Sequence, residues 1–426
     1  MRRLGGLATY LLLLLAALPA AEAAAEWSEP RPVAPGAAQT SPLPPFAVNQ
    51  SGQAVVAWND PRRGVRVATR RAGASSFARP VTVPGSRDSG QAVVAINDRG
   101  DVVVGWPTYV RDCACQAVSA STRRAGSSFR QAQIVSLAGE NAGQPVVAIG
   151  PGGTAGVSWQ SEAGVEASFA RRGGAFGRPA QISRYELGYQ HALVFDGRDR
   201  ATAFWRIGSR KLERLRHARR DPSGALSAPR TAAAPVGEST GFEFWDFLAA
   251  TDSAGRHLLA WTRYSDFGPN RIEVASANRS GHFGPRHTLA RAGGEPGESV
   301  LSHHLGVAPN GAAAVAWTRS TTGTSQVEVA LRRSAGAGFS VRQVPASGGG
   351  RDPRVAIAGS GRSALAWTSG GSGVATVGDG GGNLADPFTL PGPGSNPGVG
   401  IDRHGNALVV WSSSDGLVFS DFRRGS

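Results

Sequence analysis

Short apolar runs alternate with turn-forming residues along most of the chain. Between residues 145 and 182 four such runs follow one another, at 145–149, 155–159, 165–170 and 176–182. Each is bounded by glycine, proline or polar residues, a pattern typical of short antiparallel β-strands. No segment shows a long amphipathic helical period. This stretch therefore predicts a unit of four strands.

The unit recurs eight times, and a tryptophan marks the end of its second apolar run. A glycine stands six residues before the tryptophan in seven units, and Asp199 takes that place in the fourth. A period of about 50 residues predicts repeated supersecondary units. Eight units of four strands predict an all-β fold, the eight-bladed β-propeller. Seven blades is the alternative, if the fourth unit is not a true blade. The tryptophans are Trp58, Trp106, Trp159, Trp205, Trp261, Trp317, Trp367 and Trp411.

Side-chain size along the second strand indicates how the blades pack. The residue before the tryptophan is small in six of the eight units. Because side chains alternate between the two faces of a strand, this residue and the indole lie on opposite faces of the sheet. A large ring on one face and a hollow on the other allow each blade to dock on its neighbour.

The two ends of the chain are predicted to share one blade. The last unit stops after its third strand, at 417–424. Residues 27–33 match the fourth strand of other units, since Trp27, Pro30 and Val33 align with the aromatic, proline and apolar residues of 77–83. The N-terminal strand should therefore complete the last blade, which closes the ring and hides the sheet edges.

The first 25 residues have the character of a secretory signal peptide. Two arginines precede an apolar stretch at 7–18, and small residues follow near position 25. The stretch is short for a membrane span, so an uncleaved anchor is the weaker alternative. We expect residues 1–25 to be the signal and residues 26–426 a single propeller domain. The protein would then be secreted or associated with the cell envelope.

Basic residues dominate the charge, since the formal net charge is +14. Much of the excess lies in arginine doublets near the ends of third strands. A ring of such doublets around one face would attract an anionic cell-envelope polymer. The alternative is that the charges prevent edge pairing and aggregation. Nucleic acid is not an expected partner, because no recognition helix or stacking motif is present. The doublets are Arg70-Arg71, Arg123-Arg124, Arg171-Arg172, Arg219-Arg220, Arg332-Arg333 and Arg423-Arg424.

Cys113 and Cys115 are the only cysteines. On a regular strand the Cα atoms of residues i and i+2 are about 6.6 Å apart, which is near the long limit for a disulfide. A bridge therefore requires residues 111–116 to curl. Export favours this disulfide, and free thiols or a metal site are the alternatives.

A binding surface is predicted on the face formed by the second-to-third and fourth-to-first connections. These connections vary in length and chemistry, and variable loops on a rigid scaffold commonly carry function. The residue that opens each innermost strand is polar in seven of eight units, and every tyrosine beyond the signal lies in these loops. The predicted contact residues are Tyr189, Trp245, Asp246 and Tyr264, with Gln144, Gln190, His303 and Asp352 around the channel mouth.

Each of these observations also has a structural interpretation. The polar residues would cap strand ends, the tyrosines would pack against adjacent loops, and the apolar residues near Trp245 would form a small core beneath a long loop. Both interpretations stay open at the level of sequence.

Catalytic chemistry finds little support in the sequence. The Gly-x-Ser-x-Gly match at 237–241 is not followed by the helical pattern that a nucleophile elbow requires, and the sequence has no His-Glu-x-x-His motif and no calcium-binding loop. We therefore expect a monomeric, non-catalytic binding protein without a cofactor or metal, whose ligand is a glycan or an extracellular protein. The alternatives are an envelope-associated structural protein and a glycosidase that uses loop carboxylates. The candidate carboxylates are Glu238, Asp246, Glu295 and Glu298.

A shared turn pattern precedes the tryptophan strands, as in residues 98–106 and 402–411. With this pattern the chain resembles secreted bacterial β-propellers near the sialidase-like and WD-repeat-like groups. Sialidases place two residues between the glycine and tryptophan of their Asp-box, whereas five intervene here. The resemblance implies the fold and no catalytic residues. It is seen in Asp98-Arg99-Gly100-Asp101 to Trp106 and in Asp402-Arg403-His404-Gly405-Asn406 to Trp411.

Overall fold

A computed structural model describes residues 27–34, 45–184, 186, 188–208, 213–234, 243–264, 269–293, 297–392, 396–413 and 416–422. Within these ranges the regular elements are strands, arranged as eight antiparallel sheets of four. The all-β, eight-bladed propeller is confirmed. The predicted signal peptide lies outside the described residues. The described part of the chain contains no helix that is long and apolar enough to cross a bilayer.

The first four blades follow the N-terminal strand. Blade 4 has all four strands although its turn carries Asp199 in place of glycine, and Asp199 adopts a φ of 62°. The seven-bladed alternative is therefore excluded. The strands are β1 (Arg31–Pro32); in blade 1, β2 (Phe46–Val48), β3 (Ala54–Asp60), β4 (Gly64–Arg70) and β5 (Val81–Thr82); in blade 2, β6 (Val93–Ile96), β7 (Val102–Val110), β8 (Cys115–Arg123) and β9 (Gln133–Ile134); in blade 3, β10 (Gly143–Ile149), β11 (Ala155–Ser161), β12 (Gly164–Ala170) and β13 (Ala180–Gln181); and in blade 4, β14 (Gly188–Phe195), β15 (Ala201–Ile207), β16 (Arg214–Arg220) and β17 (Arg230–Ala233).

The remaining blades repeat the same order, and the last takes its outermost strand from the other end of the chain. The strands are, in blade 5, β18 (Trp245–Thr251), β19 (His257–Arg263), β20 (Arg271–Ala277) and β21 (Phe283–Arg291); in blade 6, β22 (Ser299–Val307), β23 (Ala313–Thr321), β24 (Thr324–Arg332) and β25 (Ser340–Gln343); in blade 7, β26 (Gly350–Ile357), β27 (Ser363–Ser369), β28 (Ser372–Gly378) and β29 (Phe388–Thr389); and in blade 8, β30 (Gly398–Ile401), β31 (Ala407–Ser413) and β32 (Gly416–Phe422).

The repeat tryptophans dock each blade on the one before it. Seven of the eight have no exposed surface, and Trp58 is 6% exposed. The Trp367 indole of blade 7 packs with Ala316 and Val329 of blade 6. Trp58 of blade 1 packs with Val410 of blade 8, which joins the two ends of the ring. The hollow opposite each indole is thus filled by the next blade's ring.

The N-terminal strand closes the ring as predicted. β1 pairs antiparallel with β32, and the pairing is extended by a hydrogen bond from the Ser28 amide to the Asp421 carbonyl at 2.8 Å. The buried Asp421 carboxylate accepts from Arg31 of the N-terminal strand and from Arg70 of blade 1 at 3.0 Å. One carboxylate therefore links the N-terminal strand, blade 8 and blade 1.

Replacing Trp367 with alanine tests the docking of the blades. Loss of a fully buried indole leaves a cavity, and we expect the free energy of unfolding to fall by about 3–5 kcal/mol. Chemical denaturation measures this change. The exposed Trp245 is the control, because its replacement with alanine should cost less than about 1 kcal/mol. Equal losses for the two variants would contradict this account of the core.

Five histidines in the blades are kept neutral by burial. Desolvation lowers the pKa of His191, His217 and His303 to about 4, and that of His257 and His304 to about 3. In the unfolded chain these imidazoles take up protons near pH 6.5. The unfolded state therefore binds more protons below that pH, and stability falls as the pH drops from about 6.5 towards 3–4.

Replacing His257 with phenylalanine tests this linkage. His257 packs against Phe204 and Phe283, and neither of its ring nitrogens has a hydrogen-bond partner. The variant should keep the aromatic packing and remove one proton from the linkage. Between pH 6 and pH 4 the slope of unfolding free energy against pH should then decrease by up to about 1.4 kcal/mol per pH unit. Denaturant titrations at several pH values measure it, and an unchanged slope would refute the assignment.

Candidate functional site

The second-to-third and fourth-to-first connections emerge together on one face of the ring, which we call the loop face. The other connections form the opposite surface, which we call the turn face. On the turn face the first-to-second turns hydrogen-bond from blade to blade, as in the donation from Asn49 Nδ2 to the Asn97 carbonyl at 2.7 Å. That face is therefore tied into a regular ring, whereas the loop face carries longer and more varied segments.

A β-bulge lies where several innermost strands meet the loop face. The register shifts at this point in β10, β14, β18, β22 and β26. Bulges re-aim side chains and are frequent beside functional sites. Five of the polar mouth residues take left-handed backbone angles, which cost a non-glycine residue about 1–3 kcal/mol. They are Gln144 (φ 52°), Asp246 (φ 49°), Ser302 (φ 51°), Asp352 (φ 53°) and Asn396 (φ 56°).

Threonine hydroxyls hold some of these bulges from the preceding blade. The Asp352 amide donates to Thr318 Oγ1 at 3.2 Å, and the Asn396 amide donates to Thr368 Oγ1 at 2.9 Å. Each threonine directly follows a repeat tryptophan, so indole docking and bulge geometry are fixed by adjacent residues. The sequence identified the polar positions but not the bulge that orients them.

The predicted channel-mouth residues differ in accessibility. Gln144 is exposed and Asp352 is half-buried. Gln190 donates from Nε2 to the Phe247 carbonyl at 3.2 Å, which spans blades 4 and 5. His303 is only 6% exposed, and its ring nitrogens lie 3.1 Å from Thr262 Oγ1 and 3.2 Å from the Ala260 carbonyl. Its placement as a contact residue is therefore corrected, because its polar atoms are already satisfied inside the structure.

Trp245 and Tyr264 present aromatic surface on the loop face of blade 5. Their exposed fractions are 39% and 38%. Trp245 pairs with Thr262 across β18 and β19, and Tyr264 follows two residues later, so both lie at the same end of the blade. The Arg206 guanidinium lies 5.7 Å from the Trp245 ring centroid, within range of a cation–π interaction. This contact orients the indole while leaving part of it open.

The other predicted residues of this region have separate outcomes. Asp246 is exposed; desolvation by the protein around it raises the pKa of its carboxyl, with the Arg206 charge acting in the opposite direction. The backbone of Tyr189 lies in β14, and its side chain is outside the described part of the structure. Phe244 and Phe247 are buried in the core between blades 4 and 5, where they pack with Phe204 and Trp261.

A buried ionic network supports Trp245 from below. The carboxylate of Glu213 accepts the amide hydrogens of Glu243 and Phe244 at 2.9 and 3.0 Å. Glu243 is itself fully buried and pairs with Arg263 at 3.1 Å and with Arg286. Charge-assisted hydrogen bonds of this kind fix geometry strongly in a low-dielectric interior. The segment that carries Trp245 is therefore held rigidly, a feature that the spacing of charged residues did not reveal.

Of the four carboxylates considered for glycan cleavage, Asp246 and Glu298 fall within the described residues. Glu238 and Glu295 lie outside those residues. Glu298 is engaged by Arg319 and by the Gly293 amide at 3.0 Å. Its charge therefore has a structural role.

One pair of carboxyl groups does meet on the loop face of blade 3. Burial first, and the neighbouring Glu166 second, raise the pKa of Glu140. Glu166 is buried and accepts hydrogen bonds from Trp159 Nε1 at 3.2 Å and from Ser161 Oγ at 2.8 Å. Glycosidases hold their two catalytic carboxyl groups roughly 5 Å or more apart. Glu140 and Glu166 are in direct contact and so do not have that separation.

Cys113, in the loop after β7, forms a disulfide with Cys115, the first residue of β8. Ala114 takes a φ of 49°, and the Cα atoms of the cysteines come to 5.1 Å. The chain therefore curls as a bridge at this spacing requires. The exposed Tyr109 lies nearby on the loop face.

The arginine doublets on the turn face divide into two roles. Arg70 and Arg332 are each 6% exposed and pack between blades, whereas Arg71 and Arg333 are exposed. Arg423-Arg424 lies outside the described residues. Arg171 and Arg172 are both exposed, and Arg172 pairs with Asp101 at 2.7 Å. The described doublets therefore combine exposed arginines with arginines that are buried or paired between blades.

Comparisons with known proteins identify the fold. No protein-family model matches the chain, and no curated protein matches it. The polysaccharide lyase Uly1 superposes with a TM-score of 0.54 at 11% identity, over 93% of this chain and 99% of that one. This likeness shows the propeller fold alone.

Two further solved structures are more distant. A polysaccharide lyase described as an ulvan lyase, bound to -[GlcA(1-4)Rha3S]-, has a TM-score of 0.48 at 10% identity, over 92% of this chain and 94% of that chain. The α-L-arabinanase of Penicillium chrysogenum complexed with arabinobiose has a TM-score of 0.42 at 12% identity, over 66% and 93%. Neither likeness bears on the site.

Proposed function

We propose that this protein is a secreted, non-catalytic propeller that binds a glycan on its loop face. The observation that carries the proposal is the pair of exposed aromatic rings, Trp245 and Tyr264, at one end of blade 5 beside the polar channel mouth. Aromatic rings stack on the apolar faces of sugars, and a tyrosine hydroxyl adds a hydrogen bond.

Rigid support strengthens this proposal. The buried carboxylates Glu213 and Glu243 hold the segment that leads into Trp245, and Arg206 lies against its ring. A preorganised aromatic side chain loses little conformational freedom on binding, so more of its contact energy contributes to affinity. Around the channel mouth, Tyr189, Asp246, Gln144, Gln190 and Asp352 are proposed to bind sugar hydroxyls and set the ligand's orientation.

Binding is favoured over cleavage by the carboxylates that the structure describes on this face. Asp246 is exposed, but Glu298 is engaged by Arg319, and Glu140 is in contact with Glu166. A glycosidase needs two carboxyl groups on opposite sides of one bond, roughly 5–10 Å apart. Secretion is supported by the basic and apolar N-terminal residues and by the Cys113–Cys115 disulfide, because disulfides persist in oxidising compartments.

The proposal is tested by screening the native protein and two variants against immobilised glycans. Trp245→Ala should weaken binding to any captured glycan by roughly 5- to 150-fold, since stacking of a ligand ring on one aromatic side chain is worth about 1–3 kcal/mol. Tyr109→Ala is the matched control, because Tyr109 is an exposed aromatic residue of the same face on blade 2, and it should bind within about twofold of the native protein.

Two results would contradict the proposal. Equal affinity of the native protein and the Trp245→Ala variant for every captured glycan would remove the loop-face site. Release of shorter oligosaccharides from a captured glycan, followed by chromatography, would show catalysis in place of simple binding.

A further inference from the structure

A cavity of about 480 Å³ opens on the turn face between blades 1 and 2. Arg70, Arg71 and Arg123 line it, together with the turn residues Ser76 and Ser127. It lies on the opposite side of the ring from the proposed glycan site. Its volume is in the range of pockets that hold small molecules.

Arg123 at the end of β8 is a partly buried cation that forms no ion pair with the residues described in the structure. Its guanidinium lies 5.0 Å from the Phe129 ring centroid, and its Nε is buried without a hydrogen-bond partner. Burial lowers the pKa of Arg123. Across the cavity, Arg71 is exposed and forms no ion pair with any residue that the structure describes. Two positive charges thus face a common space.

Equivalent arginines in other blades have partners. Arg70 holds the matching place in blade 1 and pairs with Asp421 of the preceding blade at 3.0 Å. Arg332 holds it in blade 6 and donates to Ser276 Oγ at 2.9 Å. For Arg123, the residue that corresponds to Asp421 is Thr69 of blade 1, which carries no charge.

A second carboxylate position is also neutral at this junction. Between blades 2 and 3, Asp101 follows the turn glycine and pairs with Arg172 at 2.7 Å. The corresponding residue of blade 1 is Gln53, which lines the cavity. Both positions that supply a carboxylate at neighbouring junctions are therefore uncharged here, and the arginines are left to repel one another.

A similar cavity between blades 3 and 4 provides a contrast. It measures about 330 Å³ and is lined by Arg171 and Arg220. There the Arg220 guanidinium stacks on Phe169, 4.4 Å from the ring centroid, and the charge of the adjacent Asp221 acts on it. For Arg123, burial alone accounts for the lowered pKa, and no acidic group offsets it as Asp221 does for Arg220.

We propose that this cavity binds an oxyanion, the sulfate or phosphate group of a free ion or of a small ester. Arg123 and Arg71 would supply the charge and the forked N–H donors that suit tetrahedral oxyanions. The hydroxyls of Thr69, Ser76 and Ser127 provide further donors around the same space. An anion there takes the place of the carboxylate that the two flanking junctions carry within the chain, Asp421 on one side and Asp101 on the other.

Isothermal titration at low ionic strength tests the proposal with inorganic phosphate, sulfate, glucose 6-phosphate and glucose. Phosphate or sulfate should bind and glucose should not. Arg123→Gln and Arg71→Gln should each weaken binding about tenfold, because a hydrogen bond to a charged group is worth about 1.5–3 kcal/mol. Arg333→Gln is the matched control, since Arg333 holds the place of Arg71 in blade 6, and it should bind within about twofold of the native protein.

The outcomes separate the sources of the ligand and the two proposed sites. Tighter binding of glucose 6-phosphate than of phosphate identifies a sugar ester, and equal affinities identify the free ion. Trp245→Ala should bind the oxyanion normally, so failure of the glycan proposal leaves this one standing. If Arg123→Gln does not fold, the oxyanion affinity of Arg71→Gln tests the proposal, because Arg71 is exposed and its replacement should not disturb folding. No binding of either ion by the native protein, or an unchanged affinity in Arg71→Gln, overturns the proposal.

Discussion

Insertion of one indole into the preceding blade is the interaction on which this structure depends. A four-stranded blade buries little by itself, and each gains its core from the tryptophan of the next blade. The contact at Trp58 closes the ring of blades, because it joins blade 1 to blade 8 at the place where the chain ends meet. Ring closure through β1 and Asp421 then removes the two open sheet edges that a linear array would leave.

The repeat itself made the architecture predictable. Tryptophan spacing, the turn glycines and the small residue beside each indole are local signals, and they specify strand order, blade count and the role of residues 27–33. The weak point was Asp199, and the structure shows why it is tolerated, since aspartate adopts the left-handed backbone angle required there. The periodic packing of the blades can therefore be predicted directly from the sequence.

The candidate site was less predictable because it depends on contacts between distant segments. Gln144, Asp246 and Asp352 were recognised as polar, but their bulges arise from pairing with the neighbouring strand. His303 looked available and is buried by blade 5, which no local pattern reveals. The support of Trp245 by Arg206 and Glu243 likewise joins residues that are far apart in sequence. By supporting Trp245, these side chains hold the proposed binding surface in place on the rigid ring.

Acrylamide quenching of tryptophan fluorescence tests the central claim most directly. The repeat indoles should be inaccessible to the quencher, and Trp245, at 39% exposure, should provide most of the quenchable signal. The account predicts that this signal is largely lost in Trp245→Ala and is protected in the native protein by a bound glycan. Trp27 is half-buried and should contribute a smaller signal. Strong quenching that persists when Trp27 is also replaced with phenylalanine would show that the repeat indoles are open to solvent and would contradict the account.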